Sequence, residues 1–348
     1  MRIVHFKIRE STFVLRDQEI LERNFHTRNY RINTNSQGAY FLALVKLFFF
    51  LLLSGWRYDA YYIRFADWHT ALLAFFKRIY RKKLFIVVGG YDVAAIKPFH
   101  YGAHRNPIQS RFIRYSMNHA TCLLPNSESM IHYENRFIKD GPFYGGIKHF
   151  APETASRIAV VPNGFDSNRF QRHPDVVRRD LAITVAVVHH EKNFYMKGLN
   201  RFIQTARELP DFEFLIVGIS NEFVRRLEPD PPPNLKTVAA ASTDELVKYY
   251  SESKVFCLFS LSEGMPNTLC EAMLCECIPV GTEVTSIPEI IGDTGFIIRE
   301  NDQPEFTRQV ELAFRNDQQL GTAARQRIAS SYSLELREEK IVSILSDS

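Results

Sequence analysis

Short apolar runs alternate with longer amphipathic stretches through the first half of the chain, the pattern of βαβ units. Ile3–Ile8 reads as a strand, and Arg16–Asn24 as a helix with Ile20 and Leu21 on one face. A very apolar stretch, Phe41–Leu53, precedes a strand at Tyr58–Phe65 and a helix at Trp68–Ile79. Leu84–Val88 is a continuous apolar strand that runs directly into Gly89-Gly90-Tyr91-Asp92. Ala120–Leu124 and Ile158–Val161 are further short strands, each followed by proline. Strands that are apolar throughout and separated by helices imply a parallel sheet covered on both faces.

Pro162-Asn163-Gly164-Phe165-Asp166 is a turn cluster, with Gly and Asn suited to positive φ, and marks the junction between domains. Beyond it the pattern repeats. Leu181–Val188 reads as a strand, Gly198–Glu208 as a helix, and Phe212–Val217 as a strand closed by Gly218. Leu235–Val238, Thr243–Ser251 and Val255–Phe259 continue the series, and Pro304–Arg315 and Leu334–Leu345 are terminal helices. Asp230-Pro231-Pro232-Pro233 falls between elements and reads as a stiff surface loop. A length of 348 residues agrees with two domains, at about 150 residues each.

Composition changes this picture in three places. Of the five cysteines, Cys270, Cys275 and Cys277 cluster without the paired spacing of a metal site. They read as buried, reduced thiols of a cytosolic protein. Met1–Arg9 alternates charged and apolar residues, unlike a secretory leader. Phe41–Leu53 contains Lys46 and is shorter than the ~20 residues of a spanning helix. It reads as a buried helix of an α/β domain, with an in-plane membrane helix as the alternative. The net charge is +4, but residues 1–150 hold 22 Lys and Arg against 10 Asp and Glu, a balance of +12, and the remainder carries −8. A basic half attracts anionic lipid or a phosphorylated acceptor, unless it is simply a solvated surface. No nucleic-acid module accompanies it, so nucleic acid is not an expected partner.

The candidate chemistry lies in Phe256–Val280. An apolar run ends in a polar turn, Ser260–Pro266, and a helical pattern begins with Asn267 as its N-cap. The first turn of such a helix suits a phosphate. Glu263 in the turn and Glu271 in the helix would be repelled by phosphate, so their partners are hydroxyls. Glu271 could chelate a ribose diol, and Glu263 could accept from sugar hydroxyls.

Glu263, Gly264, Pro266, Glu271, Ala272 and Met273 together resemble the signature of retaining glycosyltransferases of the GT-B fold, family 4. The resemblance implies two Rossmann-like domains facing across a cleft, with residues 1–165 taking the acceptor and 166–330 the donor. A terminal segment, 331–348, would pack back on the first domain. Lys197 of Met196-Lys197-Gly198 would supply an ammonium to the donor diphosphate, and with Glu263 forms the expected catalytic set. Glu271, Gly264, Asn267, Thr268, Leu269, His190 and Gly218 are the corresponding donor-binding positions. Where the family usually has Gly-Arg, this chain has Val188-His189-His190. Either histidine carries a weaker phosphate contact, or both are loop residues. Asn126-Ser127-Glu128 is similar to a short structural turn of the family.

In the first domain, Gly89, Gly90 and Asp92 occupy the place of the family's usual histidine and become candidates for the sugar or acceptor side. His100, His104 and Arg105 follow in a polar loop that either binds an acidic acceptor or is only a loop. The chain has no Asp-x-Asp motif, so neither a metal nor a cofactor is expected beyond the nucleotide diphosphate sugar itself. The implied activity is a hexosyl transfer to a saccharide or lipid-linked acceptor in cell-surface polysaccharide or glycolipid synthesis. The implied place is the cytoplasm, or peripherally the inner face of the plasma membrane. A nucleotide-sugar epimerase on the same fold and a non-catalytic saccharide- or partner-binding relative are the alternatives.

Overall fold

Two six-stranded parallel sheets organise the chain into two units, seen in a computed structural model that describes residues 1–8, 10–139 and 141–347. One unit comprises Met1–Glu134, Phe143–Gly164 and Glu335–Ser348, and the other Asn135–Pro142 and Phe165–Leu334. Both are Rossmann-like.

The first unit runs β1 (Arg2–Lys7), α1 (Thr12–Asn24), β2 (His26–Arg31), α2 (Gln37–Ser54), β3 (Ala60–Arg64), α3 (Trp68–Tyr80) and β4 (Lys83–Val88). It continues through α4 (Pro107–Asn118), β5 (Cys122–Pro125), a small β6 (Tyr133–Asn135) and β7 (Phe143–Gly145) pair, α5 (Ile147–Phe150) and β8 (Arg157–Ile158). The sheet order is β2-β1-β3-β4-β5-β8. Because successive side chains point to opposite faces of a strand, Phe6 and Tyr61 join α2, α3 and α4 in one core layer. Ile3 and Tyr62 join α1 in the other. The terminal helix α14 (Leu334–Asp347) adds Ile341, Ile344 and Leu345 to that second layer.

The second unit runs β9 (Arg179–Val185), α6 (Glu191–Met196), α7 (Leu199–Glu208), β10 (Glu213–Val217), α8 (Asn221–Leu227), β11 (Leu235–Val238), α9 (Thr243–Glu252) and β12 (Ser253–Leu258). Then follow α10 (Asn267–Leu274), β13 (Ile278–Thr282), α11 (Ile287–Ile291), β14 (Phe296–Ile298), α12 (Gln303–Arg315) and α13 (Gln319–Ser331). Its sheet order is β11-β10-β9-β12-β13-β14. All five cysteines are buried and free.

Three expectations need correction. The Phe41–Leu53 stretch is helical but is not a buried helix: α2 buries Ala43, Leu47 and Leu51 and exposes most of its other apolar side chains. A single i, i+4, i+8 stripe is all that a helix lying flat on a sheet needs to bury. Neither Asn163 nor Gly164 takes a positive φ. Asn163 instead accepts from Arg64 Nη2 at 3.1 Å, and the Gly164 carbonyl accepts from Arg16 Nη1 at 2.6 Å. The third concerns His104, which does not lie in a plain polar loop: it is buried in a short 3₁₀ turn, Ala103–Arg105.

Candidate active site

In the second unit the sheet order reverses direction between β9 and β12, which are paired neighbours. β10 lies on the far side of β9, and β13 on the far side of β12. Loops leaving two such strands diverge and open a crevice at their C-terminal ends, the usual ligand position of open α/β sheets.

The two loops here are tied together at the backbone. Lys197 is the C-cap of α6, and Gly198 turns left-handed at φ 67 to start α7. A Cβ at Gly198 would overlap the carbonyl oxygen of Phe259 at the end of β12. Leu261 N donates to Met196 O at 2.8 Å across the same junction. This junction places Lys197 Nζ 2.6 Å from Glu263 Oε1. The pair is partly open, with side-chain exposures of 29% and 13%, so a ligand can reach it.

Further bonds fix the Glu263 loop from β13 and the turn that follows it. Thr285 Oγ1 accepts from Glu263 N at 3.2 Å, and Thr282 Oγ1 donates to Ser260 O at 2.7 Å. An ammonium has three N–H donors. One meets Glu263, and the others remain available for phosphate oxygens.

The remaining donor-side candidates have distinct placements. α10 starts from Pro266, not Asn267, which is a correction: Pro266 is the N-cap at φ −75 and Asn267 is the first helical residue. Pro266 has no side-chain acceptor to offer that first turn. Thr268 and Glu271 are half-buried on α10. Leu269 is fully buried in the core, so only its backbone can serve a ligand. Burial, and secondarily the Glu271 carboxylate, push the Tyr250 phenol well above its ordinary value. Gly264 is buried within the loop. Gly218 closes β10 at φ 104, its would-be Cβ 2.5 Å from Ala186 O, and so lies at the C-terminal edge of the same sheet. His189 and His190 are exposed, His190 as the N-cap of α6 without a side-chain cap.

In the first unit the candidates turn inward. The Asp92 carboxylate accepts from Ala66 N at 3.0 Å, Gly89 N at 3.0 Å and Gly90 N at 3.1 Å, and is fully buried. Burial raises its carboxyl above the ordinary value against the pull of those N–H groups. A Cβ at Gly89 would overlap the Phe65 ring, and Gly90 turns at φ 115. The Asp92 carbonyl accepts from His104 Nε2 at 3.0 Å, so His104 Nδ1 accepts from Ser110 Oγ at 2.7 Å. His104 also stacks on Phe150 with centroids 3.7 Å apart.

This unit has its own reversal point, between β1 and β3. A cavity of about 710 Å³ is lined there by Lys7, Phe13, Tyr40, Arg64, Phe65 and Tyr91, among others. Arg64 bonds Asp17 Oδ2 at 3.3 Å, and its Cζ stands 4.4 Å from the centre of the Phe13 ring. Among the described residues its Nε has no partner. Asp17 also meets Arg337 Nη2 at 2.7 Å. Burial would raise the Asp17 carboxyl, but Arg337 and Arg64 outweigh it and hold the group below its ordinary value. Of the charged side chains that line the cavity, Lys7 and Arg64 outnumber Asp67, so its wall carries a cationic excess. Lys7, Arg64 and Tyr40 are not among the sequence candidates. The only signal for Lys7 and Arg64 is a cation at the C-terminal end of a largely apolar strand, β1 or β3, and Tyr40 of α2 has none. Among the described residues no group of three or more His, Cys, Asp or Glu is placed to hold a metal ion.

Residues 182–316 match the family model described as glycosyl transferases group 1. The chain is 23% identical over 248 residues to N-acetyl-alpha-D-glucosaminyl L-malate synthase of Bacillus anthracis, covering 68% of this chain and 61% of that protein. It is 24% identical over 166 residues to a phosphatidylinositol N-acetylglucosaminyltransferase component of Arabidopsis thaliana, covering 45% of this chain and 36% of that one. The chain thus spans less than two thirds of the length of either relative. In structure it is similar to sucrose-phosphate synthase of Thermosynechococcus elongatus, with a TM-score of 0.76 at 12% identity over 100% of this chain and 98% of that one. It is also similar to Anabaena HepE in complex with UDP and glucose, with a TM-score of 0.71 at 14% identity over 100% of both chains. These likenesses show the fold, which is GT-B, and the family match supports a glycosyltransferase.

Proposed function

We propose that the protein is a retaining, family 4 glycosyltransferase that moves a hexose from a nucleotide diphosphate sugar to an acceptor hydroxyl. The observation that carries this reading is the Lys197–Glu263 pair at the reversal point of the sheet whose residues match the group 1 transferases. The nucleotide diphosphate sits at this crevice. Lys197 and the first turn of α10 meet its phosphates, and Glu271 takes the ribose hydroxyls. Glu263 orients Lys197 with one oxygen and accepts a sugar hydroxyl with the other.

The acceptor oxygen attacks the anomeric carbon from the face that the diphosphate leaves, so the new C–O bond replaces the old with retained configuration. The acceptor proton passes to the departing phosphate oxygen. Charge that grows on the diphosphate is neutralised by Lys197, which supports metal independence. The acceptor is a saccharide or lipid-linked saccharide taken up by the first unit, where the cationic, aromatic-walled cavity suits a sugar bearing an anionic group. Such acceptors belong to cell-surface polysaccharide or glycolipid synthesis on the cytoplasmic side of a membrane. HepE, a structural neighbour, is in complex with UDP and glucose, which supports a nucleotide as ligand.

The test is nucleotide release from a panel of donor sugars, with and without saccharide acceptors. Lys197→Ala and Glu271→Ala should each lower turnover at least tenfold. Near wild-type rates in both would overturn the site. Interconversion of the donor sugar without any acceptor would instead identify an epimerase.

A further inference from the structure

Helices α2, α3 and α4 cover one face of the first unit's sheet, and none contains Asp or Glu. They carry Lys46, Lys77, Arg78, Arg111 and Arg114. α2 packs Ala43, Leu47 and Leu51 against the sheet. Outward it presents Phe41, exposed at 70%, Leu53 at 69%, and Phe49 and Leu52. Ring contacts join Phe49 to Phe48 at 5.6 Å, Phe48 to Phe76 at 5.5 Å and Phe76 to Phe75 at 5.4 Å. Phe76 is itself buried, but its contact with Phe48 sets α3 beside α2, and there Phe75 and Ile79 are exposed. A groove of about 350 Å³ beyond it, between α3 and α4, is lined by Trp68, Phe75, Phe112, Tyr115 and Arg111.

We propose that this face docks the first unit, in plane, on a bilayer containing anionic phospholipid. Soluble surfaces rarely leave so continuous an apolar area uncovered, and cations set among it complement anionic headgroups. α2 is, by length and composition, long and apolar enough to cross a membrane. Its stripe is nevertheless anchored on the sheet, so it lies flat on the bilayer. A second copy of the chain is a poorer occupant, because a two-fold interface would set this acid-free, cationic face against itself. The proposal stands independently of sugar transfer, and its test needs no donor.

The experiment is flotation of the full chain with vesicles of phosphatidylcholine alone and of phosphatidylcholine mixed with phosphatidylglycerol. The chain has two tryptophans. Trp56, exposed at 53%, follows α2, and Trp68 lines the groove, so intrinsic fluorescence reports the same event. Flotation and a blue shift are expected with the anionic vesicles. Arg111→Gln with Arg114→Gln should weaken that binding at least tenfold, from about fivefold per charge. Phe49→Glu with Leu53→Glu should abolish it while circular dichroism stays unchanged, both positions being exposed. Failure of the wild-type chain to float, or equal flotation of the glutamate variant, would overturn the proposal. A wild-type dimer in light scattering that the glutamate variant dissolves would overturn it too, by assigning the face to a second copy.

Discussion

Gly198 shows how much one residue can hold in place. It combines a left-handed φ with a contact against Phe259 that admits no Cβ, and its neighbour Lys197 reaches Glu263 because of both. Gly198→Ala should therefore destabilise the second unit by about 1–3 kcal/mol and lower turnover as Lys197 shifts. Unchanged urea midpoint and rate would contradict that role. In the first unit, Asp17→Asn would leave the Arg64 and Arg337 guanidiniums buried without their counter-charge. A loss of about 3–5 kcal/mol is expected in denaturant unfolding. Some of this is legible in the sequence: Lys197, Gly198, Glu263 and Glu271 stand out by type and order. What is not legible is orientation. A carboxylate after a strand reads the same whether it faces solvent or, like Asp92, turns back onto backbone N–H groups.

At the scale of elements, the strongly apolar strands are readable because both faces of each sheet are covered, as for Leu84–Val88 in β4. β2, HTRNYR, is not, because an edge strand half open to solvent needs no apolar run. α4 escapes the pattern for a related reason, since it buries Ile113 and Met117 while exposing Phe112 and two arginines. α2 is recognisable as a helix, but periodicity cannot say what covers a helix that is apolar all round.

Three elements of the first unit also bury a neutral histidine: His5 in β1, His69 in α3 and His104 before α4. Burial lowers each from 6.5 to about 4. The unfolded chain therefore binds more protons than the folded one between those values. The stability these histidines contribute is complete above pH 6.5 and declines as pH falls towards about 4. Each contributes a slope of up to about 1.4 kcal/mol per pH unit. Melting of the first unit should move to lower temperature across that window, and His104→Gln should make the decline shallower. A flat profile would show that these rings are already protonated in the fold.

At the scale of the whole molecule, the charge asymmetry acquires a location. The basic excess of residues 1–150 includes the acid-free helices α2–α4 and the cationic cavity at β1 and β3. Each sheet has its candidate crevice where strand order reverses. That position follows from chain topology and cannot be read from spacing alone.

The central claim is that the crevice of the second unit holds a nucleoside diphosphate. Calorimetric titration of UDP, GDP and ADP into the wild-type chain and into Glu271→Ala tests it most directly. Micromolar binding of one nucleotide, lost in the variant, is the expected result. No binding of any of the three, or binding that Glu271→Ala leaves intact, would contradict it.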